Sequence, residues 1–256
     1  MSGSEEVRIE HRDGCAWVTL NRPPLNLFTP GLIARLHETF ASLHREETVR
    51  VAVIAATGPH MTGGMQLEEM RDLSPSSAQS LISRLRDAIE AVHEAPFPTI
   101  AMVNGACLGA GFELVMACDI RIASSEARFG LPEVRVGIPS VIHAALLPRL
   151  VGPGRAAELL LTGESISADQ ALGWGLVNRV VEPSGLRAAT EGLVGEILKC
   201  GPQAIRLQKE LIIRWRNSDL RTAISAGVEA FALAFASDEP RMAMEAFLEK
   251  RPATFD

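Results

Sequence analysis

Apolar positions change their period along the chain. Val7 to Ile9 and Ala16 to Leu20 are short apolar stretches either side of the turn Arg12-Asp13-Gly14, which predicts two strands. The segment NRPPLNLFTP is a proline-broken loop. Thr29 and Pro30 then open a helix, proline being suited to the first helical position, and Leu32, Ile33, Leu36, Phe40 and Leu43 fall on one face of it. Val51 to Ala56 is a continuous apolar run of strand length, the pattern of a buried strand. After the loop TGPHMTGGMQLEEM, a second amphipathic helix carries Leu81, Ile82, Leu85, Ile89 and Val92 and stops before Pro96. Thr99 to Val103 is another buried strand, the chain turns sharply into a helix near Gly109, and Asp119 to Ala123 is again a strand. From Ile138 onward the pattern is mainly helical, apart from a turn at TGESIS and a short strand in LVNRVV.

Strand–helix alternation early and helices late predict an α/β fold with a helical C-terminal part. The boundary is set at an α/β core over 1–184 and a helical region over 185–256. The late helices are rich in apolar residues such as Leu211, Ile212, Ile213, Phe231 and Phe235, so this region either caps the core or packs against another subunit. Repeats, low-complexity tracts and a clear linker are not seen.

Composition narrows the picture further. The 256 residues are 47% apolar and 22% charged, which argues against disorder. A net charge of −6 argues against a broad nucleic-acid or anionic-membrane surface. Lysine is scarce, with only Lys199, Lys209 and Lys250, so a ligand phosphate must lean on arginine, backbone N–H groups or one of these three. Cys15, Cys107, Cys118 and Cys200 form no CxxC pair, and the start, MSGSEEVRIE, has neither a signal-peptide nor a transit-peptide pattern. Reduced thiols and a cytoplasmic location are therefore expected. No apolar run reaches membrane-spanning length, and HETFASLH lacks HExxH spacing, so no metal site is predicted.

The candidate chemistry lies in three stretches. Gly105 to Gly111 follows a strand and opens a helix, but GAGFEL puts Leu114 where a dinucleotide fingerprint needs its third glycine. What remains is a turn whose free N–H groups face an anion or a developing oxyanion, or simply join a strand to a helix. GPHMTGGMQL, Gly58 to Leu67, also follows a buried strand and carries adjacent glycines. Two such loops could supply two N–H donors to one carbonyl oxygen, although each taken alone also fits a surface connection. Glu113 lies one turn into the helix that begins at the glycine turn, and Glu133 follows Pro132. A helix-dipole partner and a loop salt bridge would account for them singly; paired in an apolar pocket, such acids have their pKa values pushed apart. There is no GxSxG, Ser140 and His143 have no assignable acid partner, and no lysine lies near the glycine loops, which argues against serine-nucleophile and Schiff-base chemistry.

These residues resemble the enoyl-CoA hydratase/isomerase (crotonase) superfamily, from about Val7 to Phe255. GPHMTGGMQ is similar to the family's GxxFxAGxD, and NGACLGAGFEL to NGxxxGGGxEL. Cys118-Asp119-Ile120, Phe129 to Glu133, Gly175 to Val180, Phe235 to Asp238 and Phe247 to Arg251 match its later motifs in order. The resemblance implies a ββα superhelix core and a trimer or hexamer. It also implies that the N–H groups of Met65 and Ala110 form an oxyanion hole for the thioester carbonyl of an acyl-CoA. Glu113 would hold or activate water, and Glu133 would exchange a proton at the α-carbon. Having both acids favours hydration of a 2-enoyl-CoA to a 3-hydroxyacyl-CoA. The alternatives are an isomerase or other crotonase-type reaction and, in a different class, a non-catalytic acyl-CoA-binding protein. Gly63, Gly64, Gln66, Leu67 and Gly109 are expected along the substrate, and Arg22 and Lys250 are candidates for the CoA phosphates or plain surface charge. No metal or redox cofactor is implied, since CoA is part of the substrate. Three departures stand out: Gln66 replaces the usual Asp, Ala110 replaces a glycine, and IPSVIHAALLPRLVG replaces a Gly-Gly-Thr-Gln segment that commonly shapes the acyl pocket.

Overall fold

Residues 6–255 are described by the computed structural model. Its strands and helices run in chain order as β1 (Val7–Arg12), β2 (Cys15–Leu20), α1 (Pro30–Leu43), β3 (Val51–Ala56), α2 (Pro75–His93), β4 (Thr99–Val103), β5 (Ala106–Leu108), α3 (Ala110–Ala117), β6 (Ile120–Ser124) and β7 (Arg128–Gly130). They continue as α4 (Leu147–Val151), α5 (Pro153–Thr162), β8 (Ser165–Ser167), α6 (Ala168–Gly173), β9 (Arg179–Val181), α7 (Leu186–Leu198), α8 (Pro202–Asn217), α9 (Leu220–Ala234) and α10 (Glu239–Leu248). Among the described residues, one sheet has the order β1-β2-β3-β4-β6-β9 and a smaller one the order β5-β7-β8. From β2 to β9 the larger sheet is parallel, and β1 closes its edge as an antiparallel hairpin.

The apolar runs are continuous because the larger sheet is covered on both faces. Ala16, Val18, Leu20, Ala52, Ile54, Ala101 and Val103 point into the main core, beneath α1, α2 and α3. Their alternates Cys15, Trp17, Val51, Val53 and Ile100 point the other way, onto Leu186 and Val194 of α7. The Arg187 guanidinium lies over the Trp17 ring at 3.5 Å. Thr29 caps α1 by accepting from the Leu32 N–H, and Leu32, Ile33, Leu36, Phe40 and Leu43 are all buried. Each such side chain contributes roughly 1.5–3 kcal/mol of burial, so packing rather than helix propensity holds α1.

The helices after residue 185 divide in two. While α7 packs on the sheet, α8 is tied to it by charge. Lys209 Nζ, almost wholly buried, reaches both carboxylate oxygens of Asp119 at 2.7 Å, and Arg216 approaches the same group at 3.3 Å. Farther out, Leu220, Ile224, Val228 and Phe231 form an exposed stripe on α9, and Phe247 and Leu248 are exposed on α10.

Short elements differ from the sequence reading, the strand β7 among them. Ala106–Leu108, expected only as part of a turn, is a strand paired with Arg128–Gly130, and the turn itself is confined to Gly109. TGESIS, expected as a turn, contains β8. Three-residue strands show no period, so their pairing rather than their pattern defines them.

Candidate active site

Two loops are pulled together by backbone pairing. Thr62 N–H donates to Ala106 O at 2.9 Å and Leu108 N–H to Thr62 O at 3.1 Å, so the first glycine loop runs beside β5. On its other side, Phe28 N–H donates to Gly64 O at 2.9 Å and Gln66 N–H to Phe28 O at 3.0 Å. At the meeting point stand Gly64 (φ +94°) and Gly109 (φ +54°), both in conformations that disfavour a side chain. The two backbones touch: a Cβ built on Gly64 would lie 3.6 Å from Gly109 Cα. Among the described residues, neither Met65 N–H nor Ala110 N–H donates to a protein acceptor. Ala110 is the first residue of α3, so its N–H is one of the helix's orphan donors.

The two acids approach this point from different elements. Glu113, in the first turn of α3, is 3% exposed. Its Oε2 accepts from Ala144 N–H at 3.2 Å. Burial pushes its pKa up to about 8, the Glu133 charge adds to the rise, and backbone N–H groups of Ala144, His143 and Val141 oppose it. Those donors come from a short turn whose Ile142 has φ +32°, a rare state for a β-branched residue. Glu133 sits in a helical turn, Pro132–Val136, that ends at Gly137 in the left-handed region. Its Oε1 lies against the Gly109 turn and its Oε2 accepts from Ser140 Oγ at 2.7 Å.

A cavity of about 330 Å³ opens here, lined by Gly63, Gly64, Met65 and Leu67 of the first loop, by Gly109 and by Glu133. Leu27, Met70, Pro132, Val136 and Ile138 give it an apolar wall, with Glu68 and Arg135 among its polar residues. Ala110 and Glu113 are buried and are not among its lining residues. Gln66 does not line it either; its Oε1 lies 3.4 Å from the Arg22 guanidinium. Arg22 borders a neighbouring open cleft, which shares Leu27 with the cavity, and is engaged by Glu6 at 2.9 Å and by Leu27 O at 2.5 Å. Lys250 is exposed beyond α10 and is not brought to the cavity.

A match to the family profile described as enoyl-CoA hydratase/isomerase covers residues 10–256. The chain belongs to the enoyl-CoA hydratase/isomerase family. It is 36% identical over 254 residues to a crotonyl-CoA hydratase of Syntrophomonas wolfei, covering 98% of each chain. It is 36% identical over 251 residues to a short-chain-enoyl-CoA hydratase of Clostridium acetobutylicum, covering 96% of this chain and 95% of that one. A crystal structure of a Mycobacterium smegmatis enoyl-CoA hydratase superposes with a TM-score of 0.95 at 34% identity, covering 98% of this chain and 99% of that one. The family's crotonase fold is therefore the fold of this chain.

Within that fold, Ser140 and His143 correct the sequence reading. They have acid partners after all: Ser140 meets Glu133, and the buried His143 ring meets Glu90 of α2 through Nε2 at 2.8 Å. Ser140 precedes the turn Ile142–Leu146 that holds His143. The Ser140 contact depends on Gly137 reversing the chain, and the His143 contact on the packing of α2.

Proposed function

We infer that this protein is an enoyl-CoA hydratase, a carbon–oxygen lyase that adds water across the 2,3 double bond of a 2-enoyl-CoA to give a 3-hydroxyacyl-CoA. The observation that carries the reading is Glu133 on the wall of a cavity where two glycine loops meet, with Glu113 buried near enough for the Glu133 charge to add to its raised pKa. Glu113 as carboxylate takes a proton from water while the water oxygen bonds to C3. The double-bond electrons move toward the thioester, and the resulting oxyanion is received by the N–H groups of Met65 and Ala110, each donor being typically worth about 10²–10³ in rate. Glu133 as carboxylic acid then gives its proton to C2. Water is consumed whole, and the pair ends with its proton on Glu113.

The forward step needs the single proton of the pair on Glu133. Burial raises the Glu113 pKa, so the step that takes a proton from water works against the desolvation of that carboxylate. The scheme calls on no metal or redox cofactor, and the CoA belongs to the substrate. Arg22, at the cleft that shares Leu27 with the cavity, is positioned to meet the CoA portion. The exposed apolar residues of α9 and α10 fit a homotrimer or homohexamer, which sedimentation tests, and the free thiols fit a cytoplasmic location.

A coupled assay with crotonyl-CoA and longer or branched 2-enoyl-CoAs tests the activity. Turnover of at least one is expected. No turnover of any by folded protein, alongside measurable binding of CoA esters, would support a non-catalytic acyl-CoA-binding protein instead.

A further inference from the structure

We propose that Ser140 is a positioning residue for Glu133, held at its station by the contact of the buried His143 with Glu90. The inference rests on the two-acid reading of the site and adds residues that reading does not contain.

Glu133 is gripped from two sides. Its Oε1 sits so close to Gly109 that a Cβ there would approach it to 2.7 Å. Its Oε2 receives the Ser140 hydroxyl at 2.7 Å, the length of a strong bond to a carboxyl oxygen. With Oε2 occupied, Oε1 is the oxygen left beside the Gly109–Ala110 turn, where the reacting carbon must lie. Without Ser140, nothing else in the hydrogen-bond pattern of the described residues holds the carboxyl group in that plane, and Glu133 is only half-buried on a turn at the cavity wall.

Ser140 is itself held by its neighbours in the chain. Ile138 N–H donates back to Glu133 O at 3.2 Å, closing the loop that returns Ser140 over the acid. Three residues on from Ser140, His143 is anchored through Nε2 to Glu90 and edge-on to the His93 ring at 5.7 Å. The same anchor fixes the neighbouring Ala144 N–H on Glu113. One short segment thus reaches both acids, through a side chain to one and a backbone amide to the other. A residue that keeps a reacting group within a fraction of an ångström acts on turnover more than on binding, and misplacement by about 1 Å can cost 10²-fold.

The test compares Ser140→Ala, Ser140→Thr, Glu133→Gln and the double variant Ser140→Ala/Glu133→Gln, each checked for an unchanged unfolding midpoint. Ser140→Ala is expected to lower kcat by about 10- to 100-fold with KM within about threefold, and Ser140→Thr to restore most of it. On the Glu133→Gln background, Ser140→Ala should cost nothing further. His143→Gln, tested the same way, should lower kcat by a smaller factor. A wild-type kcat in Ser140→Ala, or a full further loss on the Glu133→Gln background, overturns the positioning role and leaves the two-acid reading standing. A wild-type rate in Glu133→Gln overturns that reading and the positioning role with it.

Discussion

Gly109 and Glu133 are built around each other: the glycine's missing side chain is the space that the Oε1 oxygen occupies, with 2.7 Å between that oxygen and the place a Cβ would take. Gly109 also has φ +54° and ψ −132°, a backbone state disfavoured for side-chain-bearing residues. Gly109→Ala therefore meets two penalties at once. It should destabilise the fold by about 1–3 kcal/mol and displace Glu133, with kcat falling at least about tenfold. Chemical unfolding and steady-state kinetics read the two effects separately.

Ala110 offers a way to remove a backbone donor without dismantling its helix. It is the first residue of α3, a position where proline is tolerated because the N–H has no intrahelical acceptor. Ala110→Pro should keep the circular-dichroism spectrum and lose about 10²–10³ in kcat, the typical cost of one oxyanion donor. A wild-type kcat would show that this amide does not touch the developing charge.

The raised pKa of Glu113 has a thermodynamic sign. Ionising it in the fold is harder than in the unfolded chain, so between about pH 4.5 and about pH 8 the native state binds the extra proton and stability falls as pH rises. Glu113→Gln stays neutral throughout. The variant should match the wild type near pH 4 and exceed it by several kcal/mol above pH 8, measured by thermal unfolding across that range. Glu133 adds to the rise, so Glu133→Gln should move the Glu113 titration to lower pH in a carboxyl-carbon NMR experiment.

Much of this architecture is visible in the chain itself. Leu32, Ile33, Leu36, Phe40 and Leu43 announce one face of α1, and Val51–Ala56 a strand with two covered faces, because burial imposes those periods. The glycine turns and the acids after them also stand out, since glycine and glutamate are conspicuous among apolar neighbours. What escapes notice depends on contacts between distant residues. The strand Ala106–Leu108 is too short for a period, and its pairing with β7 is fixed only in space. Ser140 meets Glu133 only after a left-handed turn at Gly137, and Glu90 meets His143 only once α2 packs. Gln66 is expected along the substrate and Arg22 as a CoA contact or surface charge; their mutual approach at 3.4 Å is likewise set only in space.

The charged tie between α8 and the sheet sets a separate expectation. Lys209 is buried and Asp119 partly so, and Asp119 also accepts from the Thr99 N–H at 2.9 Å. Lys209→Met leaves the partly buried carboxylate with Arg216 as its remaining cation, and should cost about 3 kcal/mol in denaturant unfolding. A cost below about 1 kcal/mol would mean that Arg216 takes over the pairing.

The most direct test of the central claim is the mass of the product formed from crotonyl-CoA in water labelled with heavy oxygen. Hydration predicts a product heavier by one labelled water, with the label at C3, and a signal lost in Glu113→Gln. A product of unchanged mass would make the enzyme an isomerase working through one acid, and would contradict the two-acid hydration mechanism.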